Sequence, residues 1–318
     1  MKGSDKREKL FQIYNKNWKI TKAEYKFTIP PPTLLDDTIM CPLCGKFFTK
    51  DYLDTTRENH LTLEDVPPAQ LGGKPIILTC KLCNNFSGHK MDAQLIEYIK
   101  VQSFLTGDIG AEIRIPSTTL NYTGGKITCS ANLSIHNNDT FLFKVNIKKG
   151  EQRHDKFRQL DKILTTGIDF HFHSPPIKIV NIAILRIAYL LLFQKFGHLI
   201  SFNSNYNAIR KQILFTDLDV LQSYGILKLE AMRKIQTSEG IYIDRKLNCF
   251  IVNFDLKIRD KIQKVLVFIP SPFTDAETFY KKFASQTKVT FSLSEKFTED
   301  NFLTDPLKVF SWLKSFRK

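Results

Sequence analysis

Three observations predict an α+β fold. Two Cys-x-x-Cys pairs sit early in the chain, a middle stretch alternates with period two, and one long apolar run has helical period. At 318 residues the chain is long enough for two domains. A composition of 42% apolar and 25% charged residues is that of an ordinary globular protein.

The opening segment is basic and amphipathic, with Leu10, Ile13, Tyr14 and Trp18 at helical spacing. Pro30, Pro31 and Pro32 then stiffen the chain into an extended spacer, so residues 1–37 are expected to form an N-terminal arm. The cysteine-bearing module follows over residues 38–105. Its second pair opens a helix on which Met91, Leu95, Ile96 and Ile99 line one side. Residues 106–318 are expected to form a basic α+β domain that binds substrate, sets specificity or senses a ligand. Within it, Ile109 to Lys149 alternates and is broken at Gly124-Gly125 and at Asn137-Asn138-Asp139, the pattern of an antiparallel meander. The run Ile177–Ile200 contains Lys178, Arg186, Lys195 and His198, which suits a buried core helix better than a membrane span. Strands are expected at Ile241–Ile243, Cys249–Leu256 and Lys264–Ile269, and a last helix from Pro306 to Phe316.

The net charge is +14 and unevenly spread. Residues 1–100 carry 15 Lys/Arg against 12 Asp/Glu, whereas the rest carry 31 against 20. A cationic chain favours a polyanion, nucleic acid ahead of a membrane surface. The densest basic run contains Lys148, Lys149, Arg153, Lys156 and Arg158, and these are the candidate backbone-phosphate contacts. A solvated helix face is the competing reading of the same run. His171 and His173 alternate on a strand and are a weaker metal candidate. The opening residues hold no apolar secretory segment and the cysteines are not arranged for disulfides, so a reducing, cytoplasmic setting is expected. No nucleophile elbow or phosphate-cradling Gly-Lys loop occurs in the sequence.

The cysteine pairs carry the most specific signal. Cys41 and Cys44, with Cys80 and Cys83, have the spacing of a four-thiolate zinc clamp, because each short loop sets two sulfurs on one tetrahedral edge. Between them lie Leu63-Glu64-Asp65-Val66-Pro67-Pro68 and Leu71-Gly72-Gly73, and Asn84 directly follows the second pair. This order resembles the HNH, or ββα-metal, endonucleases over about residues 39–100. The resemblance implies two strands and a helix that hold one divalent metal, Mg²⁺ or Mn²⁺, against a scissile phosphate, with the zinc as a structural staple. It maps the acid before the family's histidine onto Glu64, the histidine itself onto Asp65 and the third metal-binding position onto Asn84. His89, one step round the helix, reaches toward the same groove.

Two departures from the family pattern stand out. Asp65 replaces the base histidine, and Pro75 stands where an asparagine orients that base. Either His60 or His89 then serves as base while Asp65 joins Glu64 on the metal, or Asp65 itself activates water. The expected function is therefore a metal-dependent endonuclease, on DNA before RNA, in restriction or phage defence, acting as a homodimer or with a defence-system partner. The alternative from another class is a catalytically inactive, zinc-dependent nucleic-acid-binding or adaptor protein.

Overall fold

The computed structural model describes residues 3–25, 37–122, 125–137, 140–146, 167–171, 174–228, 237–259, 261–305, 307–309 and 311–312. The chain divides into two compact units: Met1–Ala93 with Ile177–Lys318, and Gln94–Pro176. Helices and antiparallel strands are mixed throughout, an α+β architecture.

The first unit opens with helix α1 (Gly3–Tyr25). Phe11, Tyr14, Trp18 and Thr21 are buried and spaced so that they share one face, with Asn15 and Asn17 buried beside them. Leu10 and Ile13, part of the stripe read from sequence, sit only at its margins. Tyr14 stacks on Phe193 at 4.9 Å, and Trp18 meets His198 edge-on at 5.5 Å. The opening segment is thus packed into a core.

Strands β1 (Thr38–Met40) and β2 (Phe47–Thr49) form a small antiparallel hairpin. A second hairpin follows from β3 (Leu61–Val66) and β4 (Lys74–Cys80), in register from Leu61↔Cys80 to Val66↔Lys74 with an irregularity between Glu64 and Asp65. Its turn explains the double glycine. Gly72 has φ +86°, and a Cβ on Gly73 would lie 1.4 Å from the Pro67 carbonyl oxygen. Helix α2 (Lys81–Ser87) then runs through a single π turn, Gly88–Asp92, into α3 (Ala93–Leu105).

The same unit resumes with α4 (Ile177–Phe196), which is long and apolar enough to cross a membrane by length and composition alone. Most of its side chains are buried in the protein, each large apolar one contributing about 1.5–3 kcal/mol. Gly197 ends it at φ +59°, where a Cβ would strike Asn17 Oδ1 at 2.1 Å. Two short helices follow, α5 (His198–Ser201) and α6 (Asn207–Leu214). A four-stranded antiparallel sheet comes next, built from β9 (Ile226–Lys228), β10 (Gly240–Asp244), β11 (Cys249–Ile258) and β12 (Lys261–Pro270). The order across that sheet is β10-β11-β12-β9. Helix α7 (Ala276–Ala284) is capped by Asp275, whose carboxylate accepts from Thr278 N at 2.8 Å. The helix expected from Pro306 lies partly outside the described residues, which include helical Leu307–Val309.

In the second unit, β5 (Glu112–Tyr122), β6 (Gly125–Asn137) and β7 (Thr140–Asn146) form a meander, and β8 (Gly167–His171) pairs antiparallel to β5. The alternation read from sequence decides its core. Ile113, Ile115 and Leu133 point inward with Val101, while Arg114 points out. His171 pairs with Ser117 at the meander's edge, and His173 lies outside the described residues. Lys148, Lys149, Arg153, Lys156 and Arg158 also lie outside them.

Candidate metal centre and adjoining acid cluster

The four cysteines converge. Cys41 directly follows β1, and its carbonyl accepts from Gly45 N at 3.0 Å while its own N–H donates to Lys46 O at 2.9 Å. Gly45, at φ +72°, lets this knuckle close between the two strands. Cys80 ends β4, and Cys83 sits in the first turn of α2. The exposed N–H groups of that turn are met from the chain before β3: Lys81 N donates to His60 O at 2.9 Å and Leu82 N to Asn59 Oδ1 at 3.0 Å. Tyr189 of α4 donates its hydroxyl to Pro42 O at 2.9 Å, which fixes the first knuckle from the other side.

The result is four Sγ atoms all within 4.8 Å of one another. Cys44 and Cys80 sulfurs lie 3.8 Å apart. A tetrahedral zinc with Zn–S bonds of about 2.3 Å separates its sulfurs by about 3.8 Å, so the spacing fits. Among the described residues this is the group of three or more Cys, His, Asp or Glu side chains close enough to share a metal. Cys249 is buried elsewhere in β11, and Cys129 stands apart in the second unit.

The residues expected to hold a second, catalytic metal are arranged differently from the expectation. Glu64 lies on the same hairpin face as Thr62 and Thr79, and α2 packs there. Asn84 donates through Nδ2 to Thr62 Oγ1 at 2.8 Å and to Leu63 O at 3.1 Å. Asn84 is therefore pinned against the strand that carries the acid pair. Glu64, however, is 2% exposed and already engaged at both oxygens. Arg186 donates to its Oε1, and Thr79 donates to its Oε2 at 3.0 Å. The other end of the same guanidinium binds Asp92 Oδ1. As it stands, Glu64 is paired with Arg186 and Thr79 rather than open.

Asp65 is half-buried, beyond the strand irregularity, and makes no such pair. His89 is exposed on the π turn. His60 precedes β3 at the Cys80 end, with Nδ1 2.8 Å from Arg57 O. Asp65 lies five positions further along the strand, about 16 Å away, too far for His60 to act on water held there.

Burial pushes Glu64 above the ordinary carboxylate range, with Arg186 opposing and Asp92 adding to the rise. Asp92 is raised for the same reason, with Arg186 opposing and the charge of Asp65 adding. Burial also raises Asp65, against the pull of Lys6 from α1. Burial disfavours the charge on Arg186, but the two carboxylates overcome it and hold the guanidinium firmly protonated. Glu64 and Asp92 share the single Arg186 guanidinium, while Asp65 feels Lys6 instead, so the two carboxylates on Arg186 leave an excess of negative charge.

Sequence reading passed over Arg186 as a charge that weakened a membrane span. The signal was there: a lone arginine amid an apolar helix must be paired when buried, and its partner must be an acid from elsewhere in the chain. Comparison with family models, curated proteins and solved structures returned no match. The geometry alone therefore carries the functional reading.

Proposed function

We propose that the protein acts on nucleic acid as a metal-dependent endonuclease of the ββα-metal kind, DNA being the preferred substrate. The observation that carries this reading is Asn84 held by two hydrogen bonds against the strand bearing Glu64 and Asp65, directly beside a four-cysteine cluster. A hairpin followed by a helix, with an acid pair near the strand end and an amide in the helix's first turn, is the arrangement such an enzyme needs. The net charge of +14 supports a polyanionic substrate.

The cysteine cluster would hold structural Zn²⁺. With Glu64 taken by Arg186, the oxygen donors left for Mg²⁺ or Mn²⁺ are the Asp65 carboxylate, the second oxygen of Asp92 and the amide oxygen of Asn84. Hard oxygen donors of this type suit either ion. When bound, the metal would supply Lewis-acid neutralisation of charge developing on the phosphate. Asn84 positions its oxygen through the bonds made by its nitrogen. Arg186 orients Asp92, and exposed His89 is the candidate to take the proton from water. A role in restriction or phage defence would follow from the same resemblance.

A second reading, a non-cutting nucleic-acid-binding or adaptor module, is favoured by one specific observation: the guanidinium already neutralises Glu64, and a carboxylate rather than imidazole stands at position 65. A plasmid-nicking assay with Mg²⁺, Mn²⁺ or EDTA separates the two. The enzyme reading expects metal-dependent nicking, abolished in Asp65→Ala and Asn84→Ala and slowed in His89→Ala. No nicking with any metal, alongside intact salt-sensitive DNA binding, establishes the binding module instead.

A further inference from the structure

A cavity of ≈ 410 Å³ lies within the first unit, between the β3–β4 turn, the last part of α4 and the β10–β11 edge of the sheet. Its volume falls in the range of about 300–1,000 Å³ that holds small organic ligands. Nothing in the endonuclease reading uses it.

The wall is cationic. Lys74, Lys195, Lys257 and Lys296 all line it, from four different parts of the chain. Lys74 and Lys257 are exposed and Lys195 is half-buried, and among the described residues none of these three has an acidic partner. Lys296 donates to Ser238 Oγ at 2.8 Å. Two acids also line it: Asp255 pairs with Lys264 at 3.3 Å, and Glu239 accepts from Asp255 N at 3.1 Å and keeps its charge. Four lysines against that one carboxylate leave the concave surface net positive, which attracts a compact anion.

The remaining wall is apolar, formed by Leu191, Ile241, Val252, Phe254 and Phe297. Such a surface suits a flat, weakly hydrated body attached to that anion. Asn253 also lines the cavity; it is 2% exposed, and its Nδ2 donates to Thr237 Oγ1 and Ser238 O.

We propose that this cavity binds a nucleoside monophosphate, with its phosphate on the lysines and its base against the apolar wall. The inference is independent of whether the acid cluster cuts nucleic acid, because its test reads binding and not cleavage.

Titration calorimetry on the full chain with AMP, adenosine and inorganic phosphate decides it. The expected result is one AMP per chain, with adenosine and phosphate each bound at least about tenfold more weakly. Lys195→Glu and Lys257→Glu should each weaken AMP by about tenfold or more, with circular dichroism unchanged because neither lysine is in the core. Three outcomes overturn the proposal: no heat with AMP, CMP or GMP at millimolar concentration, phosphate alone binding as well as AMP, or a short single-stranded oligonucleotide binding where every mononucleotide fails.

Discussion

Two buried ionic clusters sit on the same hairpin, and they solve one electrostatic problem in opposite ways. At one end of β4, four thiols converge with no cation supplied by the chain. Toward the middle of β3, the Glu64 and Asp92 carboxylates converge on Arg186, a cation carried by α4. The first cluster is spaced to take a metal ion from solution. The second makes folding depend on an element more than ninety residues away in the chain. Placed side by side, they show why the same hairpin is expected to respond to metal at one end and to a distant helix at its middle.

Metal removal gives the largest expected effect. Structural zinc sites contribute apparent binding free energies of about 10–16 kcal/mol at neutral pH, and that energy is folding energy. Purified protein should carry one zinc per chain by elemental analysis. Cys80→Ser, or treatment with a strong chelator, should remove the zinc and abolish cooperative unfolding of the first unit. Zinc-free protein with an unchanged unfolding transition would show that the clustered thiols need no metal.

The second cluster responds to a different change. Arg186→Met leaves two buried carboxylates facing each other, at a cost of about 3–5 kcal/mol. Urea unfolding measures it. Replacing Glu64 and Asp92 by Leu in the same variant should recover most of the loss, since an apolar cluster of similar volume needs no cation. Zinc content should stay at one per chain in every member of this series. If Arg186→Met alone released the zinc, the two clusters would be one structural unit and the contrast between them would collapse.

The two clusters also differ in how much of each was legible in the sequence. Cysteine spacing is local: two sulfurs three residues apart can share a tetrahedral edge whatever the rest of the chain does, so Cys41, Cys44, Cys80 and Cys83 were found without a structure. The strands were legible for a related reason, since Ile113, Arg114 and Ile115 declare their faces by period two. The partner of Glu64 was not, because nothing local relates position 64 to position 186. Only the packing of α4 against the hairpin brings them together. Of the N-terminal stripe, Tyr14 and Trp18 do face the core, against Phe193 and His198, while Leu10 and Ile13 lie at its margins and Phe11 is buried instead.

A third buried polar group in the same unit adopts neither solution, and it gives the smallest and cleanest test. His198 opens α5, fully buried against Tyr14, Trp18 and Phe193. Its Nδ1 lies 3.0 Å from Ser201 Oγ, and its Nε2 has no partner among the described residues. With no carboxylate beside it, burial alone pushes its pKa down to about 3 from 6.5. The folded state therefore keeps this imidazole neutral where the unfolded chain binds a proton. The unfolded state binds more protons between those two values, so stability rises with pH across the window. The contribution is fully present above pH 6.5 and is lost as pH falls toward 3. Lowering the pH from 7 to 5 should cost about 2 kcal/mol from this residue alone. His198→Gln, which cannot titrate, should flatten that part of the urea-unfolding pH profile, whatever it does to stability at pH 7. Arg186→Met combined with Glu64→Leu and Asp92→Leu should keep this histidine's share of the slope, because that cluster then holds no titratable group and does not touch His198. An unchanged slope in His198→Gln would mean that the imidazole reaches solvent or a hidden acid, and that burying a group by discharging it plays no part in this core.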